Sequence, residues 1–219
     1  MIVEPTLIPD VKLLRMRRHG DARGFFCETY SRRDLHEAGI TSDFVQDNHS
    51  LSRPRGVLRG LHFQIPPFEQ DKLVRVTRGA ILDVAVDLRH GSPTFGRHVA
   101  AVIAAAEATQ LFVPAGFAHG FCTLEEDTEV LYKVSAYYAP QHERGLAFDD
   151  PALAIDWPVA ATAAILSDKD RHHPRLAALP RLFRYAATPA AEEPTGLCRA
   201  LALGGLPRAA AHPSAQPGI

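Results

Sequence analysis

Two histidines stand among groups that handle protons and anions. His62 lies in the run Gly56-Val57-Leu58-Arg59-Gly60-Leu61-His62-Phe63-Gln64, with Gln70 and Lys72 close behind it, and His119 closes Pro114-Ala115-Gly116-Phe117-Ala118-His119. A neutral imidazole has an unperturbed pKa of about 6.5, so it can take or give a proton at working pH. An isolated histidine is by default a satisfied structural residue. Arg59, Gln64 and Lys72 around His62 argue instead for a polar site. Metal chemistry is a poor fit, because a catalytic mononuclear site generally wants about three firm N or O ligands and an open position. His62, His119 and Gln64 do not supply that, so no metal is assigned.

These groups need a scaffold to bring them together, and the chain offers strands. Short β-rich runs occupy Phe44–Gln46, Lys72–Thr77, Ala80–Asp87, His98–Ile103, Thr109–Val113, Gly120–Leu124 and Glu129–Tyr137. Gly, Pro or Asp turns separate them, among them Arg78-Gly79, His90-Gly91-Ser92-Pro93 and Pro114-Ala115-Gly116. A spacing of roughly 8 to 12 residues predicts an all-β sandwich or barrel rather than βαβ units. In Ala80–Asp87, period-2 alternation puts Asp83 and Asp87 on one face and Leu82, Val84 and Val86 on the other, which predicts a polar inner face. A helix is expected over Ser31–Ala38, capped by Ser31 and ended by Gly39, and a second short one over Asp168–Ala178.

The 219 residues suit one domain over 1–185 and an Ala/Pro-rich tail over 186–219, expected to be loosely packed or disordered, with an amphipathic turn at Leu197–Leu206. A formal charge of -1 argues against a nucleic-acid partner. No run of about 18 uninterrupted apolar residues is present, so neither a membrane span nor a signal peptide is expected. Cys27, Cys122 and Cys198 are widely spaced and unpatterned, which reads as reduced thiols in a cytoplasmic protein.

The segment from Gly56 to Gln64 has the skeleton of the first cupin motif, with Gln64 where its second histidine would stand. Pro114 to His119 fits the second cupin motif. The pattern resembles an all-β double-stranded β-helix, or jelly roll, with a few short helices and a dismantled metal site. Six segments make the resemblance specific: Arg23-Gly24-Phe25-Phe26-Cys27-Glu28, Phe44 to Ser50, Gly56 to His62, Gln70 to Val76, Gly116 to Phe121, and Leu166-Ser167-Asp168-Lys169-Asp170. Together, from about Val11 to Leu176, they resemble the dTDP-4-dehydrorhamnose 3,5-epimerase family.

That resemblance implies a dTDP-linked 4-keto-6-deoxyhexose as substrate and no cofactor, since the C4 ketone acidifies the hydrogens on C3 and C5. His62 resembles the family's base and Asp170 the carboxylate paired with it, Asp83 being a second candidate from the strand pattern. Tyr132 resembles the acid on the opposite face, and Lys72 the residue near the C4 oxygen. Arg23 and Arg59, whose guanidinium forks match phosphate oxygens, would hold the diphosphate with Lys169. Gln46, Asn48, Glu28 and Glu143 resemble polar contacts to thymine, sugar or ribose, Tyr138 and Phe26 an aromatic pair stacking on the base, and His119 a substrate contact. Family membership further implies a homodimer whose subunits share nucleotide contacts. Arg53-Pro54-Arg55 makes a longer turn than the family pattern, and the tail has no family counterpart.

Three other readings stay open on the sequence. One is a relative epimerising C3 or C5 alone in another deoxysugar pathway, another a non-catalytic sugar-nucleotide binder, and the third a metal-dependent cupin enzyme.

Overall fold

The computed structural model describes residues 1–186, so the tail expected beyond Ala186 lies outside the described residues. Along the chain run β1 (Ile2–Glu4), β2 (Lys12–Arg15), β3 (Arg18–Asp21), β4 (Gly24–Cys27), α1 (Arg32–Glu37), β5 (Gln46–Ser52), β6 (Leu58–Gln64), β7 (Lys72–Arg78) and β8 (Ala80–Asp87). They continue as β9 (Arg89–His90), β10 (His98–Ala104), β11 (Thr109–Val113), β12 (Phe117–Thr123), β13 (Thr128–Val134), β14 (Glu143–Gly145) and β15 (Phe183–Arg184). A six-stranded sheet in the order β1-β2-β11-β7-β13-β5 faces a five-stranded sheet in the order β10-β8-β12-β6-β14. All pairings within these two sheets are antiparallel, as a jelly roll requires.

Alternation explains how one interior holds both a core and a site. Inward rows of the two sheets supply Val74, Val76, Ile81, Ala85, Ile103, Leu111, Phe117, Phe121 and Val130 to one buried cluster. The same rows, extended, carry Lys72 on β7, His119 on β12 and Tyr132 on β13. The outer face of the five-stranded sheet is also covered, because Leu61, Phe63, Val84, Val86 and Ala118 pack against Leu146, Leu153 and Phe183 from the segment after β14. β8 is therefore buried on both sides, with Ile81 and Ala85 sharing the inner face with Asp83 and Asp87. The inner face is thus mixed rather than polar. Asp87 satisfies its charge locally by accepting from Arg89, Ser92 and Thr94.

Two local expectations change most. β5 runs over Gln46–Ser52 rather than the expected Phe44–Gln46, sharing only Gln46 with it, because Gln46, Asn48, Ser50 and Ser52 alternate toward the interior despite being polar. The second expected helix is instead two 3-10 turns, Asp170–His172 and Leu176–Ala178. Pro174 excludes the helical conformation for His173, which is extended at φ -70°, ψ 146°. The first helix matches its cap: Ser31 Oγ accepts from the Asp34 amide at 3.4 Å.

β6 carries an extra residue opposite β12, between the pairs His119 with His62 and Phe121 with Arg59. There the strands approach too closely for side chains. A Cβ on Gly120 would stand 2.7 Å from the Arg59 carbonyl oxygen. Gly120→Ala is accordingly expected to cost about 1–3 kcal/mol through overpacking, read as a lower thermal unfolding midpoint. An unchanged midpoint would show that the bulge tolerates a wider strand separation.

Candidate active site

Strand pairing gathers the polar groups at one end of the sandwich. On the five-stranded side, His62 of β6 lies directly opposite His119 of β12. On the six-stranded side, Tyr132 pairs with Asn48, while Val134 pairs with both Gln46 and Lys72. Gln46, Asn48, His62, Gln64, Gln70, Lys72, Tyr132, Tyr138 and Glu143 line a single cleft.

His62 Nε2 stands 2.5 Å from Asp170 Oδ1, and Asp170 is only 4% exposed. Burial alone would raise the Asp170 carboxyl, but the hydrogen bond and charge of His62, with help from Ser167, outweigh it and hold the group below the usual aspartate value. An ionised carboxylate only accepts, so Nε2 carries the imidazole proton and Nδ1 the lone pair. Asp83 is not the partner of His62. It lies 2.6 Å from His119 Nε2, making a second, buried histidine–aspartate pair.

Lys72 is buried and donates to the His62 carbonyl oxygen at 3.3 Å. Burial pulls its ammonium down to about 8, against the opposing pull of Asp83 and Glu143. Burial also pushes the Tyr132 phenol above its usual value, so it stays a proton donor at neutral pH. Glu143 joins Lys169 at 2.5 Å and accepts from Tyr138 Oη at 2.8 Å. Burial would raise its carboxyl, yet Lys169 and Tyr138 hold it below the glutamate norm. The Gln46 side chain accepts from the Tyr138 amide and donates to Asn48, ordering one wall of the cleft.

Gln64 does not offer itself to a metal. Its amide donates to the Phe68 and Tyr137 carbonyls and accepts from the Ala139 amide. His119 Nε2 faces Asp83, and the Gln64 amide stands where a cupin metal site has its second histidine.

The model of the dTDP-4-dehydrorhamnose 3,5-epimerase family matches residues 5–178. The chain belongs to the dTDP-4-dehydrorhamnose 3,5-epimerase family. It is 50% identical over 185 residues to the dTDP-4-dehydrorhamnose 3,5-epimerase of Sinorhizobium fredii, covering 84% of this chain and 94% of that one. Against the enzyme of that name from Pseudomonas aeruginosa it is 55% identical over 165 residues, covering 75% and 90%. Among solved structures, the dTDP-6-deoxy-D-glucose-3,5-epimerase of Legionella pneumophila in complex with dTDP-4-keto-L-rhamnose superposes with a TM-score of 0.81 at 42% identity, over 85% of this chain and 99% of that one. Fold and family therefore agree.

Within this member of the family, one subunit does not bring every expected residue to the cleft. Arg23 and Phe26 lie on the hairpin of β3 and β4, which forms its own two-stranded sheet, and Glu28 follows it. The Arg23 side chain is 89% exposed and held by Asp21, and Phe26 is 71% exposed. Arg59 sits at the rim, donating to Ser52 Oγ and the Leu51 carbonyl in a neighbouring groove that also holds Arg53, Ser167 and Asp170. One group at the centre was not picked out from sequence. The His173 ring meets His62 edge-on at 5.5 Å, with Nε2 3.4 Å from Asp170 Oδ1. Burial, reinforced by His62, pulls His173 below the usual histidine value despite Asp170. His173 follows His172 and precedes Pro174, with no periodicity to mark it. Among the described residues no helix is long and apolar enough to cross a membrane.

Proposed function

We propose that the chain epimerises C3 and C5 of dTDP-4-dehydro-6-deoxy-D-glucose to give dTDP-4-dehydro-L-rhamnose, in dTDP-L-rhamnose biosynthesis. The observation that carries the reading is the His62–Asp170 pair on one wall of a cleft whose other wall holds Tyr132 and Lys72. His62 Nδ1 takes the proton from C3 or C5, and the C–H electron pair moves through the C3–C4 or C4–C5 bond onto the ketone oxygen. The Lys72 ammonium stabilises the resulting enolate, in a buried setting where a charge acts strongly. Asp170 stabilises the imidazolium. Tyr132 returns a proton to the carbon from the opposite face, inverting it. Histidine then loses its proton to solvent and tyrosine regains one, and the second centre follows.

Arg59 and Lys169 at the mouth suit the diphosphate; Gln46, Asn48 and Glu143 suit polar edges of thymidine or sugar; and Tyr138 offers a ring for the base. His119, fixed by Asp83, is a substrate contact. Arg23, Phe26 and Glu28 complete the site from a second subunit. Support for this homodimer lies in the exposed Phe25 and Phe26 on a hairpin that, among the described residues, pairs only with itself. A cytoplasmic setting suits Cys27 and Cys122, which form no disulfide among the described residues.

Three experiments test the reading. Coupled to a reductase specific for the L-rhamno product, the purified chain should consume reductant with dTDP-4-dehydro-6-deoxy-D-glucose, and no consumption would count against it. Tyr132→Phe should keep solvent exchange of the C–H protons while product of inverted configuration falls by about 10²-fold or more. Retention of full inversion would exclude Tyr132 as the only acid. Turnover should also fall as pH rises through about 8, where Lys72 loses its charge, whereas a Lys72→Met variant should lose that limb of the profile. Stability should move the other way. Above about 8 the unfolded chain still holds the proton that native Lys72 has released, so this group's contribution to stability rises with pH until the unfolded lysine titrates.

A further inference from the structure

We propose that His62, Asp170 and His173 form a binding site for a divalent transition cation of the zinc class, and that occupation silences the catalytic base. The site itself follows from geometry, while the silencing rests on the reading of His62 given above.

One ligand atom from each of the three residues lies within 4.8 Å of the others. Asp170 Oδ1 is the hub, 2.5 Å from His62 Nε2 and 3.4 Å from His173 Nε2. Ligands bound at about 2.0–2.1 Å in a tetrahedron stand about 3.3–3.4 Å apart. The His173–Asp170 spacing already meets that requirement. The His62–Asp170 pair must open by somewhat less than about 1 Å once the proton between them has moved.

A second observation points to a missing partner. The His173 side chain is nine-tenths buried, yet its Nε2 has no hydrogen bond among the described residues, and an unpartnered buried nitrogen is unusual in a folded protein. Its ring is held against Gly145, where a Cβ would stand 2.2 Å from a ring atom. The glycine admits the imidazole and keeps it aimed at Asp170. Two imidazoles and one carboxylate form a donor set that suits zinc and its neighbours rather than magnesium or calcium. The proposed ligand atom of His62 is Nε2, on the Asp170 side of the ring, opposite the Nδ1 that serves as base. This set differs from that of a cupin metal, whose second-histidine position is taken by Gln64, an amide engaged with three backbone groups.

Binding also explains how a cation would stop catalysis. A metal on Nε2 displaces the proton carried there, and a neutral imidazole keeps one proton, which must then sit on Nδ1. The lone pair that would attack the substrate C–H is thereby lost. No oxidant or further reactant is involved.

The test uses the full chain stripped with a chelator and then titrated with cobalt(II), a spectroscopic stand-in for zinc, and with zinc itself. Wild type should bind one equivalent of cobalt with intense visible bands of low-coordinate geometry, and zinc should displace it. His173→Gln and the near-isosteric Asp170→Asn should each weaken binding at least about tenfold, with unfolding midpoints recorded to confirm that both fold. Absence of stoichiometric binding, or His173→Gln binding as well as wild type, would overturn the site. Zinc should also abolish substrate proton exchange with solvent in wild type, and about tenfold more should be needed with His173→Gln. Binding that depends on His173 but leaves exchange intact would keep the site and overturn both the silencing and the use of His62 as base.

Discussion

His62→Ala is expected to lower turnover by about 10²–10⁴-fold, the range that a positioned general base contributes, while dTDP still binds. The separation follows from where the groups stand. His62 reaches into the cleft from β6, whereas the candidate diphosphate ligands Arg59 and Lys169 sit at its mouth, hydrogen-bonded to Ser52 and paired with Glu143 respectively. Removing the imidazole leaves those contacts in place and takes away the acceptor for the C–H proton. Titration with dTDP and steady-state turnover on the same preparation provide the check. Near-normal turnover would remove His62 from the role.

Asp170→Asn is the second large effect, expected at roughly 10²–10⁴-fold in kcat with little change in KM. The substitution nearly preserves shape, so packing around this 4% exposed side chain should survive. What is lost is the charge that stabilises imidazolium and the acceptor-only partner that keeps the proton on Nε2. An amide can donate to Nε2 as readily as accept, and in the donating orientation it pushes the proton to Nδ1, where the base needs its lone pair. A loss confined to KM, with kcat intact, would assign Asp170 to substrate binding instead.

How far the sequence carried these conclusions differs element by element. β8 and β11 were legible to the residue, because a short apolar-rich run bounded by turn residues marks both type and extent. β5 was not. Its inward residues are polar like most of its outward ones, since its inner row lines a wet cleft rather than a core, and the usual contrast between faces vanishes. Asp83 was correctly put on the inner face of its strand, but a period-2 pattern says nothing about which neighbour lies alongside. The β12–β8 register gives it to His119. Asp170 is 108 residues from His62, beyond any local pattern, and came only from likeness of the Ser-x-Lys-Asp motif to a known family. His173 had no such motif to point to it. Its place beside Asp170 depends on the turn that Pro174 interrupts and on the space above Gly145, both features of the folded chain.

The most direct test of the central claim is proton NMR of the purified chain with dTDP-4-dehydro-6-deoxy-D-glucose in deuterium oxide, following the C3 and C5 signals separately. Loss of both signals to deuterium, with the L-rhamno product trapped on reduction, is the predicted result. Exchange at one carbon alone would contradict the double epimerisation, and exchange at neither with dTDP bound would contradict catalysis by the His62–Asp170 pair altogether.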